Sequence, residues 1–284
     1  MNSNSMNVPL SSRRFPVVPA EIAASLLRNR QLVWQLAKRD VIGRYRGSLL
    51  GLFWSLVNPL LMLAVYTFAF GVVFRSKWGA AEPASKLEFS MILFAGLIVF
   101  GIFSEFMNRS PGLVLANPNY VKKIVFPLEI LPWVLLASSI FHALVSLVVL
   151  VVMLLVVQGF VPWTMVLLPV VLMPLIFLCL GLGWFLASWG VFVRDVGQIV
   201  GVITSALLFL SPLFFPTSAL PEKIRPFLQL NPLSFPLEQA REVMLWGHTP
   251  NWGGLLLYGT ACFVMMWLGF AWFQKTRQGF ADVI

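Results

Sequence analysis

With 59% hydrophobic and only 11% charged residues among 284, the chain carries too few charges to coat a water-soluble globule of its length. A net charge of +9 would suggest nucleic acid in a soluble protein, but in so apolar a chain it fits Lys and Arg retained in loops on one side of a membrane. Cys179 and Cys262 both sit in apolar runs, which supports neither a disulfide framework nor a thiolate metal site. The expected fold class is therefore an all-α polytopic membrane protein.

Residues 1–19 are polar, with Pro16 and Pro19, and read as an extended lead without a signal-peptide core. From Ala20 to Arg39 a helix is expected, with Ile22, Leu26, Val33 and Leu36 on one arc and Arg28, Gln31, Gln35 and Arg39 opposite. It suits a membrane surface or solvent, and Asn29 and Arg30 are a potential break.

A basic junction (Lys38, Arg39, Arg44, Arg46) then opens into Gly47–Phe74, 28 residues without a charge, where about 20 suffice for a span. Ser55, Asn58, Met62, Tyr66 and Phe70 share one face of that helix, a face expected to avoid lipid. Gly43, Gly47 and Gly51 recur at four-residue spacing; either they let another backbone approach or they loosen the junction.

A second span is expected from Phe89 to Met107, ending in the i, i+4 pair Glu105 and Arg109. Asn117 followed by Pro118 makes a helix start, and Pro127 ends the short segment near Phe126. The 64 residues between Glu129 and Arg194 contain no Asp, Glu, Lys or Arg, which is room for two spans broken at Gln158–Trp163 by Gly159 and Pro162. Ser138, His142 and Ser146 form a polar stripe on the first of these, where His142 is either a proton-relay group or a helix-to-helix hydrogen-bonder. Pro169 and Pro174 are expected to kink the second.

A fifth span should run from Val196 to Leu213, with Gly197, Gly201 and Ser205 as a close-packing stripe. Prolines 212, 216, 221, 226, 232, 236 and 250 then forbid a single span, so short re-entrant helices beginning at Pro221 and Pro236 are expected, the second stopping at Gly247. In that arrangement Glu222, Lys223, Arg225, Glu238, Arg241 and Glu242 would reach water. A sixth span occupies Gly253–Phe273. Placing both termini in the cytoplasm puts 14 of the 20 basic residues inside and 6 outside, as retention of positive charge requires.

Several chemistries are missing. No Gly is followed by Lys, so there is no P-loop, and a partner has to supply any ATP hydrolysis. The only Asp residues are Asp40, Asp195 and Asp282, and there is neither a His-Glu-x-x-His zinc motif nor a Gly-x-Ser-x-Gly elbow. The chain reads as a transporter component, with no catalytic residue, metal or cofactor of its own. A secondary transporter or channel is the alternative, with His142 as its one intramembrane ionisable candidate.

The stretch RDVIGRYRGSLLGLFWSLVNPLLMLAVYTFAFGVVF resembles the beginning of the ABC-2 type permeases that export O-antigen, capsule and teichoic acid polysaccharides. The likeness continues in NPNYVKKIVFPLEILP, VFVRDVGQIV and LSPLFFPTSALPEKIRPFLQLNPLSFPLEQAREVML, in that order. The resemblance implies a homodimer of six-span subunits in the bacterial inner membrane, joined to two copies of an ATPase subunit that binds ATP and Mg. It also implies an amphipathic interface helix within a cytoplasmic lead (1–46), a transmembrane domain (47–275) and a cytoplasmic tail (276–284). Within the transmembrane domain it implies a coupling helix at 117–125 and periplasmic gate helices at 216–245. The coupling residues would be Asn117, Asn119, Tyr120, Val121, Lys122 and Lys123. The substrate would be a polysaccharide on a lipid carrier; its hydroxyls and apolar C–H faces need polar groups and aromatic platforms, for which Trp54, Asn58, Tyr66, Phe209, Phe214 and Phe215 are the candidates.

Overall fold

Charge gaps and prolines punctuate this chain, and its helices begin and end where they fall. The structure is a computed structural model that describes residues 16–69, 86–122, 126–215, 228 and 231–284. Helix α1 (Pro19–Arg28) starts on a proline, and α2 (Arg30–Tyr45) follows it after a break at Asn29, where the polar Asn29–Arg30 pair interrupts the apolar face. Ile22, Val33, Ala37 and Val41 are buried, so these helices lie against the bundle through one side.

Next come α3 (Trp54–Tyr66), α4 (Lys86–Arg109), the short α5 (Pro118–Lys122), α6 (Leu131–Val157), α7 (Leu168–Phe192) and α8 (Val196–Leu210). After them stand α9 (Ser234–Arg241), a π-helical turn at Glu242–Trp246, α10 (Trp252–Thr276) and α11 (Phe280–Val283). Five helical stretches among the described residues are long and apolar enough to cross a bilayer: Gly51–Ala69, Leu87–Gly112, Leu128–Val157, Trp163–Phe192 and Trp252–Val283. The segment expected as a fifth span, 196–213, is shorter. Its helix stops at Leu210 because Ser211 precedes Pro212 and turns extended (φ −94°, ψ 153°). Its 15 residues rise about 22 Å, less than the ~30 Å hydrocarbon core.

Central to the bundle is α4, buried along most of its length and packed by α6, α7, α8 and α9. The most extensive pairing is α7 with α10, and its cause is glycine. A Cβ on Gly181 would stand 2.6 Å from the Met265 carbonyl oxygen, and one on Gly269 would strike the Gly181 carbonyl, so two backbones meet where only glycine permits it. The two stripes singled out in the sequence do not do this. Gly47 and Gly51 take positive φ (86° and 52°) in a turn ahead of α3, so Gly43, Gly47 and Gly51 never share a helix face. Among the described residues of the chain, none lies within 4 Å of a Cβ built at Gly43, Gly47, Gly51 or Gly197, and only the Asn108 side chain, at 3.8 Å, approaches Gly201.

Turn chemistry behaves as the sequence indicates. Helix α6 ends at Val157 and Gly159 turns left-handed (φ 79°), while Gly247 (φ 72°) stops the π-helical turn. Pro169 sits in the first turn of α7 and Pro174 inside it. The first expected gate helix, beginning at Pro221, lies outside the described residues. The second begins at Ser234, two residues before Pro236.

Arg241 corrects the sequence reading. Instead of reaching water it is 1% exposed, and its guanidinium donates to the carbonyls of Ile92 (3.1 Å), Pro212 (2.6 Å) and Leu213 (2.9 Å). Gly96 makes the room, since a Cβ there would come 2.5 Å from Arg241 Nη2. One side chain thus pins α9 to α4 and to the chain leaving α8.

Candidate functional site: a polar cleft over a charged ladder

On α2, Asp40 and Arg44 stand one helical turn apart; on α4, Glu105 and Arg109 do the same in the same acid-then-base order. The helices bring them together as an antiparallel ladder. Arg109 Nη2 donates to Asp40 Oδ1 at 2.6 Å, and Arg44 Nη2 donates to Glu105 Oε1 at 2.5 Å, with the internal Arg109–Glu105 pair at 3.4 Å. From α6, His142 closes the set: its Nδ1 is 3.1 Å from Glu105 Oε2 and 3.2 Å from Arg44 Nη1. The Tyr45 ring packs edge-on to the imidazole at 6.0 Å. His142 thus makes hydrogen bonds between helices, one of the two roles open in the sequence.

Such a ladder fixes α2 against α4 in one register, because a slip by one turn sets like charges opposite each other. On Asp40, burial opposes the charged form, but the hydrogen bond and charge of Arg109 and the charge of Arg44 outweigh it, so the carboxyl titrates below its usual range. The phenol of Tyr45 is pushed up by its own burial.

Directly over the ladder opens a cleft of about 410 Å³ walled by α3, α4 and α6. Ser55, Asn58, Met62 and Tyr66 of the polar face of α3 line it, as do Ser104 and Glu105 of α4 and His142 and Ser146 of α6. Phe94 and Phe100 supply aromatic surface. Polar hydrogen-bonding groups set among flat apolar rings are what an oligosaccharide or another polyhydroxylated ligand requires. A second cleft, about 360 Å³, lies between α2 and the start of α5, lined by Arg39, Asp40, Asn108, Arg109, Asn117 and Tyr120 among others.

Residues 31–245 match the family described as ABC-2 type transporter. The chain belongs to the ABC-2 type transporter family. It is 26% identical over 265 residues, 93% of this chain and 99% of the relative, to the O-antigen export system permease protein RfbA of Myxococcus xanthus. It is 26% identical to the protein of the same description from Klebsiella pneumoniae over 253 residues, 88% of this chain and 93% of that one. It is 25% identical to the polysialic acid transport protein KpsM of Escherichia coli over 256 residues, 84% of this chain and 91% of the relative. The match covers the cleft and the ladder alike.

Within this ABC-2 chain the residues expected along a substrate path divide. Asn58 and Tyr66 line the cleft, whereas Trp54, Phe209, Phe214 and Phe215 do not. Phe209, in the last turn of α8, and Phe214, just after that helix, form their own stacked pair, centroids 5.8 Å apart, and Phe209 is exposed. Of the expected coupling residues, Asn117 donates its amide to the Leu113 carbonyl at 2.9 Å. Asn119 is exposed and Tyr120 and Val121 are half-buried. The Tyr120 hydroxyl accepts from Arg39 at 3.4 Å, which ties α5 to α2. Lys122 ends α5, and Lys123 lies outside the described residues.

Sequence reasoning treated Glu105 and Arg109 as self-neutralising and Asp40 and Arg44 as unrelated to them. A signal was present: two i, i+4 pairs of the same acid-then-base order, one just before the first span and one at the end of the second, which complement each other when the two helices run antiparallel.

Proposed function

We propose that this chain is the permease subunit of an ABC exporter that moves a lipid-linked cell-surface polysaccharide, O-antigen in the first instance and capsule or teichoic acid polymers in the second, across the inner membrane. The observation that carries this reading is the nearly end-to-end likeness to permeases described as O-antigen exporters. The cleft bearing Asn58 and Tyr66 agrees with it chemically. Energy comes from a separate ATPase subunit, in two copies, that holds ATP and Mg, since this chain has no P-loop. Two copies of the chain, each with six spans and both termini cytoplasmic, form the pathway, with Val196–Leu210 and the residues after it as the fifth crossing. The bilayer, not nucleic acid, is the reason for the positive charge.

In this reading α1 and α2 within residues 1–46 are the interface helices, 117–125 is the coupling helix through Asn117, Asn119, Tyr120, Val121, Lys122 and Lys123, and 216–245 is the gate on the far side. Residues 47–275 form the transmembrane domain and 276–284 the tail. The aromatic residues outside the cleft, Trp54, Phe209, Phe214 and Phe215, line the pathway between the two copies.

The test is affinity purification of the tagged chain from its native membranes, paired with surface staining for polysaccharide in a strain lacking it. Recovery of an ATPase subunit and polymer trapped inside the cell are expected. Surface polymer that persists when the ATPase's catalytic glutamate is replaced, but disappears in His142→Ala, would instead support a proton-coupled transporter.

A further inference from the structure

A second ion pair lies away from the ladder and the cleft. Arg277, the first residue after α10, donates from Nη1 to Glu129 Oε2 at 2.6 Å and from Nη2 to the Phe126 carbonyl at 2.7 Å. Both side chains are nearly enclosed, 12% and 11% exposed. The other carboxylate oxygen of Glu129 accepts from Ser25 of α1 at 3.2 Å, and its backbone carbonyl accepts from the Trp184 indole of α7 at 3.0 Å. Four parts of the chain therefore converge on one carboxylate-bearing residue: α1, the link after α5, α7 and the end of α10.

On the α5 side, the Phe126 ring stacks on the Tyr120 ring, with centroids 4.2 Å apart and planes 10° from parallel. The far end of the chain returns to the same place, because α11 packs on α5 and buries Phe280 against Phe273 of α10 and Phe192 of α7. From α10 the connection continues into α7 through the glycine contact of Gly181 and Gly269.

We infer that Arg277 is a positioning residue that carries displacement of α5 into the last span and, through it, into α7. The inference rests on the exporter reading, in which α5 is where the ATPase pushes. A buried ion pair contributes little net stability once desolvation is charged against it. What this one supplies is a planar fork with two anchors on the link after α5, which resists rotation as well as separation. Arg277, from α5 to α10, then stands beside the ladder from α2 to α4 as a connection from the ATPase-facing side to the spans.

The experiment uses the full chain purified with its ATPase subunit, reconstituted in vesicles, with ATP hydrolysis and movement of lipid-linked polysaccharide measured on the same preparation for parent, Arg277→Gln and Arg277→Lys. The complex should assemble and hydrolyse ATP in both variants. Polymer moved per ATP should fall on the order of fivefold or more in Arg277→Gln and less in Arg277→Lys, which keeps the charge but only one anchor. A purely structural role would lower hydrolysis and transport together and leave their ratio at the parental value; that unchanged ratio overturns the inference. If Arg277→Gln does not accumulate in the membrane, the ratio in Arg277→Lys decides by the same criterion. Failure of the exporter reading shows differently, as absence of ATP-dependent movement in the parent itself, and it would take the inference with it.

Discussion

Replacing Arg241 by Met keeps the aliphatic stem and removes the fork, which isolates the three hydrogen bonds to Ile92, Pro212 and Leu213. Pro212 and Leu213 lie outside the helices, so their buried carbonyls are left short of a donor at a cost of at least about 1 kcal/mol each, whereas the Ile92 carbonyl lies inside α4; the loss is at least about 2 kcal/mol. Arg241→Lys should recover only part of this, because one ammonium cannot span acceptors arranged for a planar fork. Gly96→Ala should mimic the loss from the other side by driving a methyl group into Nη2. Measured as the apparent melting temperature in lipid nanodiscs, Arg241→Met should fall on the order of 10 °C, and limited proteolysis should cut first between α9 and the end of α8. A Met variant that melts with the parent would refute the assignment of Arg241 as the staple holding α9 to α4.

Gly269→Ala should separate α7 from α10 and lower the amount of folded protein in the membrane far more than Gly197→Ala, whose Cβ meets none of the described residues within 4 Å; quantitative blotting of membrane fractions compares them. Changing Tyr120 and Val121 together to Asp should leave the chain in the membrane but abolish recovery of the ATPase subunit on affinity purification; full recovery removes α5 from the docking surface. Asp40 has a lowered pKa, from 3.8, so its contribution is present above the unfolded value and is lost as pH falls through the folded one. Hydrogen exchange of α2, corrected for intrinsic rate, should be constant from about pH 8 to 5 and rise only below about pH 4. Asp40→Asn should loosen α2 by about 1 kcal/mol above about pH 5 and converge on the parent once Asp40 is protonated, the modest size expected when the two side chains are 27% and 33% exposed.

Much of the architecture is legible one segment at a time because hydropathy and proline act locally. The uncharged runs mark the long helices, Gly159 and Gly247 mark stops, and the polar face of α3 puts Ser55, Asn58, Met62 and Tyr66 on one wall of the cleft. What escapes is whatever depends on a second segment. Four-residue spacing of glycine is a property of one helix, whereas close approach needs a partner backbone; Gly181 and Gly269 have one within the chain, and Gly197 has none among the described residues. Gly47 and Gly51 fail sooner, since their positive φ takes the chain out of the helix that the spacing assumes. Arg241 is charged and lies among prolines, features that say water, yet the Ile92 carbonyl inside α4 and two carbonyls in the turn after α8 replace that water. The pairing Glu129–Arg277 crosses 148 residues, a distance over which composition and periodicity carry no signal, and Asp40–Arg109, across 69, shows only as two i, i+4 pairs whose partners the sequence does not assign.

The central claim is that ATP spent by a partner drives a lipid-linked polysaccharide through this chain. Inverted membrane vesicles containing the chain and its ATPase subunit, loaded with radiolabelled lipid-linked polymer on the outer surface, test it most directly. Movement of label into the lumen should require ATP, stop when the ATPase's catalytic glutamate is replaced by Gln, and persist when the proton gradient is collapsed. Movement that continues without ATP and vanishes with the gradient would contradict it.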